Sequence, residues 1–132
     1  MTGQTNLGEM LNRLSPTLLD EAYVFCTLPH ADYGAMAHLN PLCCFREKEG
    51  LTLILAREKA ESAGFPCEAV FRCITLGVHS SLSAVGLTAA VSTALASRGI
   101  SANMVAAYFH DHVFVPFDKA DAAMAALNQF NC

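Results

Sequence analysis

The sequence predicts an α+β fold, an antiparallel sheet with helices packed on one face, assembled from two similar halves. Three observations predict it. Apolar runs of strand length alternate with helix-spaced apolar stripes. Two pairs of those runs are separated by short polar breaks, as in tight hairpins. Finally, "EGLTLILAREKA" from Glu49 aligns without a gap on "DHVFVPFDKADA" from Asp111, each an acid, a turn, an alternating strand and an immediate helix.

In chain order, residues 5–14 place Leu7, Met10, Leu11 and Leu14 at helical spacing, and Ser15-Pro16 ends that helix. "EAYVFCTL" (21–28) is a strand rich in β-branched and aromatic residues. Residues 29–41 are loop with room for one helical turn. "LCCFRE" and "LTLIL" form a hairpin about Lys48-Glu49-Gly50, and a helix over 56–63 stops at Gly64. The second half repeats the plan with a fuller helix. "CEAVFRCITLGV" (67–78) is a long strand, followed by a helix running to about Ser97 with Ala84, Leu87, Val91, Ala94 and Leu95 on one stripe. "ISANMVAAYF" and "HVFVPF" pair as strands, with His110-Asp111-His112 as the polar tip between them. Asp118 caps a final helix over 119–130, with Ala120, Ala123, Met124 and Leu127 inward.

Each half therefore reads β–(α)–β–β–α, and the division falls between residues 1–65 and 66–132. "NMVAAYF" and "AVFRCITL" are apolar at odd and even positions alike. Helices cover one sheet face, so continuous apolar strands ask for burial on the other, against the sister half or a second chain.

Bulk composition narrows the function. Of 132 residues, 53% are hydrophobic and 15% charged, and the net charge is −4. Soluble domains carry roughly 25% charged residues, so apolar surface is expected to be buried in a homo-oligomer. The eight Lys and Arg are scattered, which argues against nucleic acid, since phosphate contacts need a basic patch. The N-terminus shows no signal-peptide pattern and no apolar run has membrane-spanning length, so the expected setting is the cytoplasm, away from membranes. The six cysteines lie mostly in apolar runs and form no Cys-x-x-Cys, which reads as reduced core thiols.

The stretch "HSSLSAVGLTAAVSTALASRGISANMVAAYFHDHVFVP" (79–116) and its companion "FREKEGLTLIL" (45–55) resemble small tandem ACT-like proteins, related to the CASTOR-type and aspartokinase regulatory domains. The resemblance implies two tandem ferredoxin-like units and a regulatory role, binding an amino acid or similar small metabolite at a domain or subunit interface.

The residues themselves select the turn from His79 to Leu87 as the ligand site. A helix start offers unpaired N–H groups and partial positive charge suited to a carboxylate. Gly86 permits close approach, and Ser80, Ser81 and Ser83 supply short hydroxyls. His79, Val85 and Leu87 complete the lining, with Asn103 reaching it from the next strand. The plain structural alternative is that the serines cap the helix and Gly86 serves packing. His79, His110 and His112 are the evident metal candidates, but a hairpin tip explains the last two, so no metal is assigned. No cofactor and no catalytic residue are expected, because Gly-x-Ser-x-Gly, the P-loop and His-Glu-x-x-His are all missing. The sequence thus favours a non-catalytic sensing module, the rival being a protein-docking domain with no small ligand.

Overall fold

The computed structural model describes residues 6–79 and 85–130. Its elements are helix α1 (Leu7–Asn12), strand β1 (Pro16–Leu28), a 3-10 turn (Ala37–Leu39), β2 (Cys43–Glu47), β3 (Gly50–Ala56), α2 (Arg57–Ser62), β4 (Phe71–Leu76), α3 (Leu87–Ala96), β5 (Asn103–Ala106), β6 (Asp111–Pro116), a second 3-10 turn (Phe117–Lys119) and α4 (Ala120–Asn128). The repeated β–(α)–β–β–α plan is present, with the 3-10 turn standing where the second half has α3.

The chain packs as two compact units. Glu21–Phe71 form the first; the described residues up to Asp20 and from Arg72 onward form the second. In the first unit β3 lies between β2 and β1, antiparallel to both, with Leu53 opposite Cys26 on one side and Cys44 on the other. Side chains alternate across such a ladder. Leu51, Leu53 and Leu55 accordingly share one face with Val24 and Cys26, closed by Ala60 of α2 and by Leu39. The opposite face carries Phe25, Ile54 and Cys43 in one row and Thr27, Thr52 and Phe45 in the next.

In the second unit the strand order is β1-β4-β6-β5, with the start of β1 at the edge. Ile74, Leu76, Val113 and Val115 meet Leu87, Val91 and Leu95 of α3, Ala123 and Leu127 of α4, and Met10 and Leu14 from α1 and its exit. Burying each of these Leu or Val side chains contributes about 1.5–3 kcal/mol. Met10 and Leu14 explain why packing units and sequence repeats are cut differently. Both are fully buried in the second unit's core, and Gly77 and Val78 donate backbone hydrogen bonds to the carbonyls of Ser15 and Leu14 (3.1 and 3.3 Å). The first twenty residues complete the sheet of the second half.

Several expectations are corrected. Helix α1 ends at Asn12, two residues before the predicted end at 14, and Pro16 opens β1, which begins five residues before the predicted strand. β4 and β5 are shorter than predicted, being Phe71–Leu76 and Asn103–Ala106. Asp118 does not cap the last helix: it sits in a 3-10 turn, and α4 starts at Ala120 with no side-chain cap. The hairpin tip is not His110-Asp111-His112. Ala107 N–H bonds to the His110 carbonyl (3.1 Å), closing a turn over 107–110, while Asp111 and His112 pair in β6.

The repeat is also displaced by two residues from the ungapped alignment. Leu51, Leu53, Ile54 and Leu55 are buried in β3 as Asp111, Val113, Phe114 and Val115 are in β6, and buried Ala60 corresponds to buried Ala120. Matching Glu49 to Asp111 paired an exposed hairpin residue with a buried one. The second sheet face is partly covered within the single chain, because Tyr23, Ile54, Cys73 and Phe114 are buried there, whereas Phe25 and Phe45 stay 40% and 65% exposed.

Gly50 closes the β2–β3 hairpin opposite Glu47. A Cβ there would lie 2.7 Å from the Leu28 carbonyl oxygen, whereas one at Gly64 meets nothing within 4 Å. Backbone yields less than side chains do. Gly50→Ala is therefore predicted to lower unfolding free energy by about 2–3 kcal/mol in urea titrations, against about 1 kcal/mol for Gly64→Ala, whose only cost is its φ of +83°.

Candidate functional site

The segment between β4 and α3 is held at both margins by the second unit. On the near side, the Val78 carbonyl lies 3.5 Å from His110 Nδ1, and the His79 ring sits 5.7 Å from that of Phe109, which in turn packs edge-on to Tyr108 at 5.0 Å. On the far side Val85 is 83% exposed and Gly86 stands at the N-cap of α3. Gly86 has φ +100° and ψ −17°, a left-handed conformation that costs an L-residue about 1–2 kcal/mol. Its carbonyl accepts from Ala90 N–H at 2.9 Å, and the glycine has no side chain of its own to cap the helix start. The first-turn N–H groups carry the partial positive charge of a helix end.

Of the eight residues selected from the sequence, the structure brings His79, Val85, Gly86 and Leu87 to the margins of one loop. Ser80, Ser81 and Ser83 lie outside the described residues. Leu87 is 4% exposed and belongs to the apolar core, so its side chain points inward. Asn103 is elsewhere. It opens β5 opposite Phe114, with its amide 3.4 Å from the Phe114 carbonyl, on the sheet face away from the α3 core. The strand towards the loop passes first through the level of His112 and Thr75, so Asn103 does not reach the helix start.

What approaches Gly86 is Leu7 of α1: a Cβ on the glycine would lie 3.1 Å from Leu7 Cδ2. Beside it runs an open apolar groove of about 560 Å³ lined by Leu7, Gly86, Ala90, Thr93, Ala94 and Phe130. Leu7, Tyr108 and Phe109 were not selected from sequence. Leu7 is legible only as one member of a helical stripe, and nothing local signals which distant residue it meets.

The titratable groups near this end have neighbours of their own. Among the described residues, no three His, Cys, Asp or Glu side chains converge to hold a metal ion. His110 and His112 have separate partners, the Val78 carbonyl and Thr75 Oγ1 (3.0 Å). Burial lowers the His112 pKa from its ordinary 6.5, nearby His110 adds to the shift, and Asp111 opposes it. Burial likewise pushes the Cys73 thiol up to about 11, with a hydrogen bond from Thr75 working the other way. A thiol held protonated is a poor nucleophile.

Residues 2–72 match the family model described as ACT domain, and residues 68–129 match a second model of the same description. The chain belongs to the ACT-domain family. This ACT chain is 49% identical to a Vibrio cholerae protein of unknown function, described as a possible transport protein, over 96% of each chain with a TM-score of 0.87. Two more distant structures share the fold. The regulatory subunit of aspartate kinase from Thermus flavus is 13% identical with a TM-score of 0.63, over 87% of this chain and 95% of that one. E. coli aspartokinase III, solved in complex with aspartate and ADP, is 13% identical with a TM-score of 0.61, over 87% of this chain and 32% of that one. No curated protein matches the sequence. Among the described residues no helix is long and apolar enough to cross a membrane.

Two outcomes follow for this ACT chain. Gly86→Ala should cost about 1–2 kcal/mol in chemical denaturation, and the cost should persist in a Leu7→Ala background, because the strain resides in the backbone and the Leu7 methyl can yield. His112 titrates at lower pH when folded than when unfolded, so protons favour unfolding. Its contribution is fully present above the unfolded value of 6.5 and falls as pH drops through 6.5 towards the folded pKa. The urea midpoint should decline across that window, and His112→Gln should flatten the decline.

Proposed function

We propose that the chain is a non-catalytic regulatory module that binds an amino acid or similar small carboxylate at the loop between β4 and α3. The observation that carries this reading is Gly86: a left-handed glycine, with no side chain of its own, at the start of α3 in an ACT fold. The first-turn N–H groups of α3 receive the carboxylate, and Ser80, Ser81, Ser83 and His79 bond the remaining polar atoms. Asn103 is left out by its place on β5. The module works as a cytoplasmic homodimer, and the ligand, bound better by one assembly state than another, shifts the population between them. Exposed Phe25 and Phe45 favour that pairing.

The same two rings also support the second reading, a protein-docking domain whose loop holds no ligand. Thermal unfolding against the common amino acids, followed by calorimetry, separates the two. Sensing predicts that at least one amino acid at about 100 Kd stabilises the fold by about 2.7 kcal/mol, a rise of roughly 5–15 °C. Ser83→Ala should weaken that rise while leaving the unliganded melting temperature and the association state unchanged. If no amino acid or small carboxylate raises the melting temperature, the sensing reading fails.

A further inference from the structure

We propose that the Arg72 guanidinium, with the Phe117 ring beside it, is a second binding site of the chain and takes a small oxyanion, a carboxylate or a phosphate monoester. Arg72 is the second residue of β4, and its side chain falls on the same face as Ile74 and Leu76, which are buried against α3. It stands half-buried at the rim of the second unit's core. Its Nη2 donates to the Leu19 carbonyl of β1 at 2.7 Å, and its Cζ lies 5.9 Å from the centre of the Phe117 ring. These two contacts hold the planar group from one edge and one face.

What they leave unmet points to the ligand. A guanidinium carries five N–H donors and a full positive charge, and one carbonyl takes one of those donors here. Nε is shut off from solvent and has no hydrogen-bond partner. Nη1 has no protein partner either, but it is not enclosed, so the outer end of the fork is open to solvent. Among the described residues no carboxylate pairs with the group, although Asp20 follows Leu19 and Asp118 follows Phe117 in the chain. Taking a charge partly out of water without a counter-charge is costly, and the cost is recovered when another molecule supplies that charge. A plain clamp on the Leu19 carbonyl would need one donor, not a fork with an open end.

The open end fixes the class of ligand. Nη1–H and the second Nη2–H run parallel, at the spacing of two oxygens of a carboxylate or phosphate. Phe117 is 49% exposed, so it screens one face of the cation from water and offers apolar surface to whatever carries the oxyanion. The site is separate from the candidate loop. Arg72 stands at the start of β4 and the loop follows its other end, about 20 Å away along the strand. It does not depend on the sensing reading above.

The test is a titration of the full chain with acetate, benzoate, inorganic phosphate and phenyl phosphate. Ionic strength is held constant with chloride, and the arginine Nε–H signals are followed by nitrogen–proton NMR. The expected result is a saturable shift of the Arg72 signal with at least one probe, half complete at or below about 10 mM. The aryl member of the preferred pair should saturate at several-fold lower concentration, and which pair is preferred tells carboxylate from phosphate. Phe117→Ala should remove the aryl preference. Arg72→Lys keeps the charge without the fork and should weaken the preferred probe several-fold, read from the Cys73 amide; if that variant does not fold, the wild-type titration decides alone. No saturable shift at Arg72 with any probe, equal linear shifts of all the arginines, or shifts confined to the Gly86 and Leu87 amides would each overturn the proposal.

Discussion

Two backbone hydrogen bonds, from Gly77 to Ser15 and from Val78 to Leu14, tie the N-terminal segment to the strand that leads into the candidate loop. Around them there is no slack. A Cβ on Gly77 would lie 3.0 Å from both the Ser15 Cβ and its carbonyl oxygen. The same segment returns at the far end of the loop, where Leu7 packs over Gly86. One short stretch, anchored by fully buried Met10 and Leu14, therefore fixes both margins of the candidate segment. The start of α3 inherits its place from that anchoring, because the helix begins where the glycine turns the chain.

Much of this was legible in the sequence. Alternation in "LTLIL" and "HVFVPF" located β3 and β6, and the stripe Leu87, Val91, Leu95 located the buried side of α3. Such patterns are local, and solvent enforces them residue by residue. What the sequence concealed was non-local. Nothing in "TNLGEMLNRL" says that this helix packs with the second half, since Met10 and Leu14 would suit any apolar surface. The likeness of Glu49 and Asp111 misled because both are acids, although one is solvated and the other is 9% exposed. His110-Asp111-His112 looked like a turn by polarity, yet the turn fell on Tyr108 and Phe109, two exposed aromatic residues that composition would assign to a strand. Asp118 looked like a cap because no local rule announces the 3-10 turn it occupies.

At the candidate site, the glycine was identifiable and the wall beside it was not. Gly86 could be singled out because a residue without a Cβ at a helix start permits close approach; its left-handed φ of +100° is what the structure adds. Asn103 was assigned to the site because it begins the neighbouring strand, but its pairing with Phe114 carries it to the other sheet face and away from the loop. The helical surface next to Gly86 is lined by Ala90, Thr93 and Ala94. Their small side chains leave a shallow apolar trough that a one-dimensional reading records only as good helix formers. Low charge density, the earliest signal of extra apolar surface, is consistent with exposed Phe25 and Phe45, although part of the predicted unpaired face is already covered within the chain.

The central claim is that the N-terminal segment and the glycine-started helix together hold a loop that closes on a small carboxylate. Amide hydrogen exchange with and without the common amino acids addresses it most directly. The account predicts that a stabilising amino acid slows exchange at Gly86, Leu87 and Thr88 and at Gly77 and Val78, while β2 and β3 are little changed. Protection confined to β2 and β3, with the start of α3 exchanging as before, would contradict it.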